Sequence, residues 1–234
     1  MTSATSTRRD ARRNHERLLE EARRLFAERG IDAPLDELAS RAGVGAGTVY
    51  RHFPTRDALL RELYDAAITM FHDLEPEVAQ ATSGWAALEL VLDRLGRWVA
   101  ATPYLPALMR RVAATDPEHR PGMEFAPVLE GVVARAKAEG ALRPDLEAAD
   151  VTVLVDMLGS LGQFGGTNLP FWQRQFAIVL DGLRARDDLA PLPGVALDFA
   201  SFHDLAHQRP ERAGEVGDGG AAGAAGGVAE LAAG

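Results

Sequence analysis

The chain has 234 residues, no cysteine, 47% hydrophobic residues and a formal net charge of −9. That length suits one or two domains of roughly 100–200 residues and is enough to bury a core without staples. The lack of cysteine excludes a disulfide scaffold, a Cys-ligated zinc module and thiol catalysis. The longest uncharged stretch, 157–173, is broken by Gly, Gln, Asn and Pro and does not read as a membrane span. Residues 1–7 hold no apolar run of the secretory kind, so a cytoplasmic protein without membrane contact is expected.

Residues 1–9 are rich in Ser and Thr, end in Arg8 and Arg9, and read as a flexible arm. Over 10–29, Leu18, Ala22, Leu25 and Phe26 recur at three- and four-residue spacing, which predicts a helix stopped by Gly30. A second, short helix is predicted over 35–42. Pro34 suits its first turn, Asp36 and Glu37 oppose its dipole, and Leu35, Leu38, Ala39 and Ala42 form its apolar face. Gly43-Val44-Gly45 breaks the pattern, and a third helix over 46–53 is ended by Pro54. Thr55 caps a fourth, whose apolar positions are Leu59, Leu60, Leu63, Tyr64, Ala67, Ile68 and Phe71. Further helices are predicted over 85–101, 103–114, 125–139, 146–164 and 170–186. No segment alternates with a period of two, so the fold is read as all-α. Patterning decays from Pro191, and 214–234 is Gly/Ala low complexity, expected to be disordered.

Charge is unevenly distributed. Residues 1–61 hold 12 Arg against 9 acids, a net of +3, and the remainder holds 13 basic residues against 25 acids, a net of −12. A basic front on an acidic body suggests that only the front meets a polyanion. Two short helices joined by a Gly-containing turn, behind a longer helix, make a helix-turn-helix. On its third helix Val49 and Phe53 are four apart and point inward. Ala46, Gly47, Thr48, Tyr50, Arg51 and His52 are left outside. Small residues at the start let a helix enter a major groove. Gly47 costs a helix about 1 kcal/mol against Ala, and close approach of backbone to DNA would explain it. Arg51 reaches a guanine or a phosphate, and Thr48, Tyr50 and His52 donate to phosphates. Arg56 lies where a helix N-terminus favours an anion. Arg8, Arg9, Arg12 and Arg13 either widen the phosphate footprint or form a solubilising arm.

The run Leu35-Asp36-Glu37-Leu38-Ala39-Ser40-Arg41-Ala42-Gly43-Val44-Gly45-Ala46-Gly47-Thr48-Val49-Tyr50-Arg51-His52-Phe53-Pro54-Thr55-Arg56-Asp57-Ala58-Leu59 resembles the signature of TetR-family transcriptional regulators. Ala22, Leu25, Phe26, Ala27, Glu28 and Gly30 fit that family's first helix, and the resemblance covers about 12–70. It implies a homodimeric repressor, an N-terminal DNA-binding domain and a C-terminal helical domain that binds a small effector and dimerises through its last two long helices. The implied DNA contacts are Gly47, Thr48, Tyr50, Arg51, His52 and Arg56. Gly45 stands where the family often has a Ser or Thr cap, and Pro34 where it often has a Thr that contacts phosphate. Pro34 has no donor, so that contact is not carried over.

The expected organisation is an arm (1–9), a helix-turn-helix DNA-binding domain (10–54), a connecting helix (55–75), a regulatory and dimerisation domain (76–190) and a tail (191–234). Candidates for lining an effector pocket are Trp85, Trp98, Met109, Phe125, Leu129, Met157, Leu161 and Phe164; together with Trp172, their aromatic and thioether character suggests a mostly apolar ligand or plain core. Candidates for the dimer seam are Gly159, Gly162, Phe176, Val179, Leu180 and Leu183, with an intra-subunit kink as the alternative for the glycines. His203 and His207 stand at i and i+4 but lack a third ligand, so no metal site is assigned. No nucleophile–base pair or cofactor loop is visible, so neither catalysis nor a cofactor is expected. The expected function is a regulator of duplex DNA released by an effector. The alternatives are an effector-independent regulator and an all-α enzyme.

Overall fold

The computed structural model describes residues 3–164 and 169–202, with side chains omitted for 3–10 and 169. Nine α-helices follow one another among these residues: α1 (Ser3–Arg29), α2 (Leu35–Arg41), α3 (Ala46–His52), α4 (Arg56–Gln80), α5 (Gly84–Ala101), α6 (Leu105–Thr115), α7 (Ala126–Ala138), α8 (Ala148–Gly159) and α9 (Leu169–Leu183). Short 3₁₀ turns cover Pro121–Phe125 and Ser160–Phe164. No strand occurs among the described residues beyond one bridge between Leu142 and Arg184. The protein is all-α: a three-helix N-terminal unit, then a helical body, with α4 running from one into the other.

The N-terminal unit is held by the residues that the spacing marks out. Leu18, Ala22, Leu25 and Phe26 of α1 meet Leu38 and Ala39 of α2, Val49 of α3, and Phe53, all buried. The body is built around α5, whose Leu88, Val91, Leu92, Leu95 and Val99 are buried. Trp172 of α9 is buried there too, its indole N–H donating to Asp93 at 3.0 Å, so it belongs to the core.

Four boundaries differ from expectation. Helix α1 starts at Ser3 rather than at residue 10, so it takes in most of the expected arm. Helix α4 continues through Pro76 to Gln80, although a proline removes one helical hydrogen bond. Burial of Leu74 and Val78 on either side compensates for it. The helix predicted over 146–164 stops at Gly159 and tightens into the 3₁₀ turn.

Finally, 191–202 is exposed for most of its length but touches the body at Leu192, Phe199 and Phe202. Arg143, the buried charged residue of the body, ion-pairs with Asp145 at 2.6 Å and donates to the carbonyl of Ala190 at 3.0 Å. The amide of Leu192 donates to Asp145 at 2.8 Å. A helical turn over 199–202 follows, with the amide of Ser201 donating to Asp198 at 2.7 Å. The low-complexity stretch 214–234 and the His203/His207 pair lie outside the described residues.

The Arg143 guanidinium, then the Leu192 amide, hold the Asp145 carboxyl far below the usual carboxylate range. A lowered carboxyl contributes stability above its unfolded value near 3.9 and loses it as pH falls further. Asp145→Asn is therefore expected to speed protease cleavage between 186 and 198 at pH 7. The unsubstituted chain should show that sensitivity only in strong acid.

Candidate nucleic-acid interface and interior cavity

Between α2 and α3 the chain turns through a Schellman motif. The amide of Val44 donates to the carbonyl of Ala39 at 3.0 Å, and that of Gly43 to Ser40 at 3.1 Å. Gly43 has φ +64, the left-handed conformation that glycine adopts without strain. Two arginines from outside fix the unit. Arg17 of α1 donates to the carbonyl of Ala42, and Arg56 at the start of α4 donates to that of Ile31 at 2.7 Å. Thr55 caps α4 by accepting from the amide of Ala58 at 3.1 Å.

The only buried residue of α3 is Val49. Ala46, Gly47, Tyr50 and Arg51 are exposed, with Tyr50 at 49%, while Thr48 and His52 are half-buried. Arg51 makes no ion pair among the described residues, whereas Arg41 is spent on Glu28 (2.7 Å) and Glu37 (3.1 Å). His52 is tied inward: its Nδ1 lies 3.3 Å from His15 Nδ1, and His15 Nε2 bonds Glu62 of α4. Burial, then the charges of His15 and Arg51, push the His52 imidazole below its ordinary value. Its ring is therefore neutral at pH 7 and offers a hydrogen bond rather than a charge. Arg56 gives one of its five donors to Ile31 and keeps the rest. Arg17, His15 and Glu62 act from beneath α3. No local pattern marks them, because Arg17, His15 and Glu62 lie 35, 37 and 10 residues from His52.

The body encloses a cavity of about 120 Å³. Tyr64, Ile68 and Phe71 of α4 form one wall. Trp98 of α5, Met109 of α6, Phe125 of the 3₁₀ turn and Leu129 of α7 form others. Thr152, Val155 and Asp156 of α8 close it, and Phe199 and Phe202 sit at its edge. Phe71 meets Trp98 edge-on at 5.6 Å and Phe125 at 5.3 Å. Burial pushes the Tyr64 phenol up to about 12, so it stays protonated.

Of the candidate pocket residues, Trp98, Met109, Phe125 and Leu129 line this cavity, and Trp85, Met157, Leu161 and Phe164 do not. Trp85 lies at the far end of α5, where its indole donates to Glu89 at 2.5 Å under the Arg184 guanidinium. Met157 and Phe164 face outward at 58% and 67% exposure, and Leu161 packs half-buried against the core. The candidate seam residues also divide. A Cβ on Gly159 would meet Val99 Cγ1 at 2.3 Å, and one on Gly162 the carbonyl of Ala100 at 2.3 Å. These glycines thus let α8 and the following turn approach α5 of the same subunit. Leu183 is buried, and Phe176, Val179 and Leu180 are half-buried against the core. The exposed large apolar side chains of this region are Val153, Met157, Phe164, Phe171 and Ile178.

Among the described residues no group of three His, Asp or Glu could hold a metal, and no helix is long and apolar enough to cross a membrane.

A helix with one buried residue, set on a Schellman turn and braced by α1 and α4, defines a helix-turn-helix protein. A sequence model described as "Bacterial regulatory proteins, tetR family" matches residues 18–63. A TetR transcription regulatory protein of Mycobacterium vanbaalenii is 31% identical, with 76% of this chain and 99% of that one covered and a TM-score of 0.53. This chain belongs to the TetR family. An HTH-type transcriptional regulator of Staphylococcus aureus is 31% identical over 93 residues, 38% of this chain. The chain spans about half, 49%, of the length of that curated relative. AibR, crystallised with isovaleryl coenzyme A and operator DNA, shares the fold at 15% identity, with 73% and 97% of the chains covered and a TM-score of 0.61.

Proposed function

We propose that this protein is a transcriptional repressor that binds a palindromic operator as a homodimer through α3 and is released by a small, mostly apolar effector. The observation that carries this reading is the outward face of α3, where Ala46, Gly47, Tyr50 and Arg51, which makes no ion pair among the described residues, are free to meet a duplex while Val49 is the helix's one buried residue. Thr48, His52 and Arg56 flank that face and add neutral or cationic donors to phosphates. The exposed apolar side chains on α8 and α9 support a dimer, since large apolar groups left exposed are suited to an interaction surface. Two copies related by a two-fold axis would present two α3 helices about 34–36 Å apart, one turn of the duplex.

The cavity is the effector site in this reading. Helix α4 begins beside α3 and lines the cavity with Tyr64, Ile68 and Phe71, so a ligand that favours one tilt of α4 changes the spacing of the recognition helices. At about 120 Å³ the cavity is smaller than a typical ligand site of roughly 300–1,000 Å³. Displacing Phe199 and Phe202 would enlarge it. The protein acts in the cytoplasm without catalysis.

Selection of binding sites from random duplex DNA, with sedimentation of the free protein, tests the reading. A palindromic consensus and a two-subunit mass are expected. A lone subunit, or no enrichment at low salt, would refute it. Gly47→Ala adds a further check: nothing lies within 4 Å of the added Cβ. Thermal stability should rise by about 0.5–1 kcal/mol, because alanine suits a helix better. Affinity for the selected duplex should fall, because the methyl stands on the face that approaches it.

A further inference from the structure

The cavity is mostly hydrocarbon, and its polar side chains are few. Among the described residues they belong to Tyr64, Trp98, Thr152 and Asp156. Among the described residues no Lys, Arg or His lines it. The Thr152 Oγ1 is fully enclosed and has no hydrogen-bond partner. An enclosed hydroxyl with nothing to bond is costly, and native interiors seldom leave one so. Asp156 follows one helical turn later on the same stripe of α8. It is exposed to solvent and also borders the cavity. Crowding by the apolar walls pushes this carboxyl above its ordinary range, and no cation or donor among the described residues offsets that. Side chains four apart on a helix have Cβ atoms about 5–6 Å apart, a gap that one ammonium group with several N–H donors spans.

We propose that Asp156 and Thr152 read the effector, and that the cavity takes a lipophilic amine. The ammonium sits on the Asp156 carboxylate and shares a donor with Thr152, and the hydrocarbon or aromatic body lies against Phe71, Trp98 and Phe125. This deepens the reading of the cavity as the effector site and rests on it. The same lining selects against anions. A carboxylate or phosphate here would face Asp156 with no cation to receive it, so the site discriminates by repulsion as well as attraction. A coenzyme A ester of the kind bound by AibR is therefore a poor fit for this chain.

Three probes with one body and different charge test the proposal: 4-phenylbutylamine, 4-phenylbutan-1-ol and 4-phenylbutanoate, titrated calorimetrically into the full chain at pH 7.5. The amine should bind about tenfold or more tighter than the acid, with the alcohol between, as a charge-assisted contact predicts. Asp156→Asn should bring the amine to within about threefold of the alcohol, and Asp156→Glu should restore part of the preference. Thr152→Val should weaken the alcohol and leave the amine ahead of the acid.

An acid that binds as tightly as the amine would overturn the assignment. So would an amine preference untouched in Asp156→Asn, or no amine binding at about 1 mM, the weakest affinity at which a fitting ligand would still register. A gel shift on the selected duplex separates this inference from the one beneath it. If the amine binds through Asp156 but leaves DNA affinity unchanged, the assignment stands and the effector reading falls. If amine and acid both bind equally and release DNA, the effector reading stands and the assignment falls.

Discussion

Arg51→Ala is expected to weaken binding to the selected duplex by about 2–6 kcal/mol per dimer, because each of two subunits loses a contact worth roughly 1–3 kcal/mol. The side chain is exposed on α3 and pairs with no acid among the described residues, none of which competes for it. Arg41 points the other way: its pairs with Glu28 and Glu37 already occupy it, and Arg41→Ala should change DNA affinity far less. Tyr50→Ala should also weaken binding, since its half-exposed phenol stands beside Arg51 on the same helix. Neither change should alter the melting curve by more than about 0.5 kcal/mol, the usual range for surface positions, nor the subunit mass. Anisotropy titrations at several salt concentrations then tell what Arg51 touches. A phosphate contact lowers the salt slope by about one per subunit; a base contact relaxes selection at one position of each half-site. An Arg51→Ala protein that binds within twofold of the parent would remove α3 from the interface.

The helix-turn-helix was legible because it is local. Gly43 at the turn, Val49 and Phe53 four apart, and Pro54 after the helix all act within a dozen residues, and the structure keeps each in its expected place. Less of the cavity was legible, for a geometric reason. On a helix as apolar as α8, a step of one residue turns the side chain by about 100°. Asp156 lines the cavity and Met157 faces solvent, yet residue type alone favoured the thioether. The glycines at 159 and 162 mark close helix approach, and the pattern gives no sign of whether the approaching helix belongs to the same subunit. Val99 and Ala100, some 60 residues earlier, settle that. Phe199 and Phe202 lie beyond the last periodic helix, so their contact with the cavity depends on Arg143 and Asp145 holding the chain back. His52 and Arg56 look like free donors in sequence. The inward bonds that tie them come from His15 and Ile31, on or just after α1.

Gly84→Ala should be among the most damaging single methyls in the body. Its Cβ would stand 2.3 Å from the amide nitrogen of Ala136, 2.7 Å from Ala136 Cα and 2.7 Å from the carbonyl carbon of Arg135. All three are backbone atoms of α7, so no rotamer change relieves the clash; α5 and α7 must part. Parting them also breaks a cap. The amide of Gly84 donates to both oxygens of Glu139, at 2.9 and 2.8 Å, and this is the main cause of that carboxyl lying below its ordinary range. Arg135 holds the same carboxylate at 3.1 Å and reaches the carbonyl of Ala81 at 3.1 Å, so the joint between α4, α5 and α7 loosens as a unit. Overpacking plus a lost charge-assisted bond comes to about 3–5 kcal/mol, a melting point lower by roughly 6–20 °C. Gly131→Ala on the same α7 is the matched control. Nothing lies within 4 Å of its added Cβ, so alanine should stabilise the helix by about 0.5–1 kcal/mol and raise the melting point by roughly 1–4 °C. The two substitutions add the same atom and should move the melting point in opposite directions, because only at Gly84 does the backbone of another helix already occupy the place of the methyl. A Gly84→Ala protein that melts within 2 °C of the parent would mean that α5 does not dock on α7 through this residue.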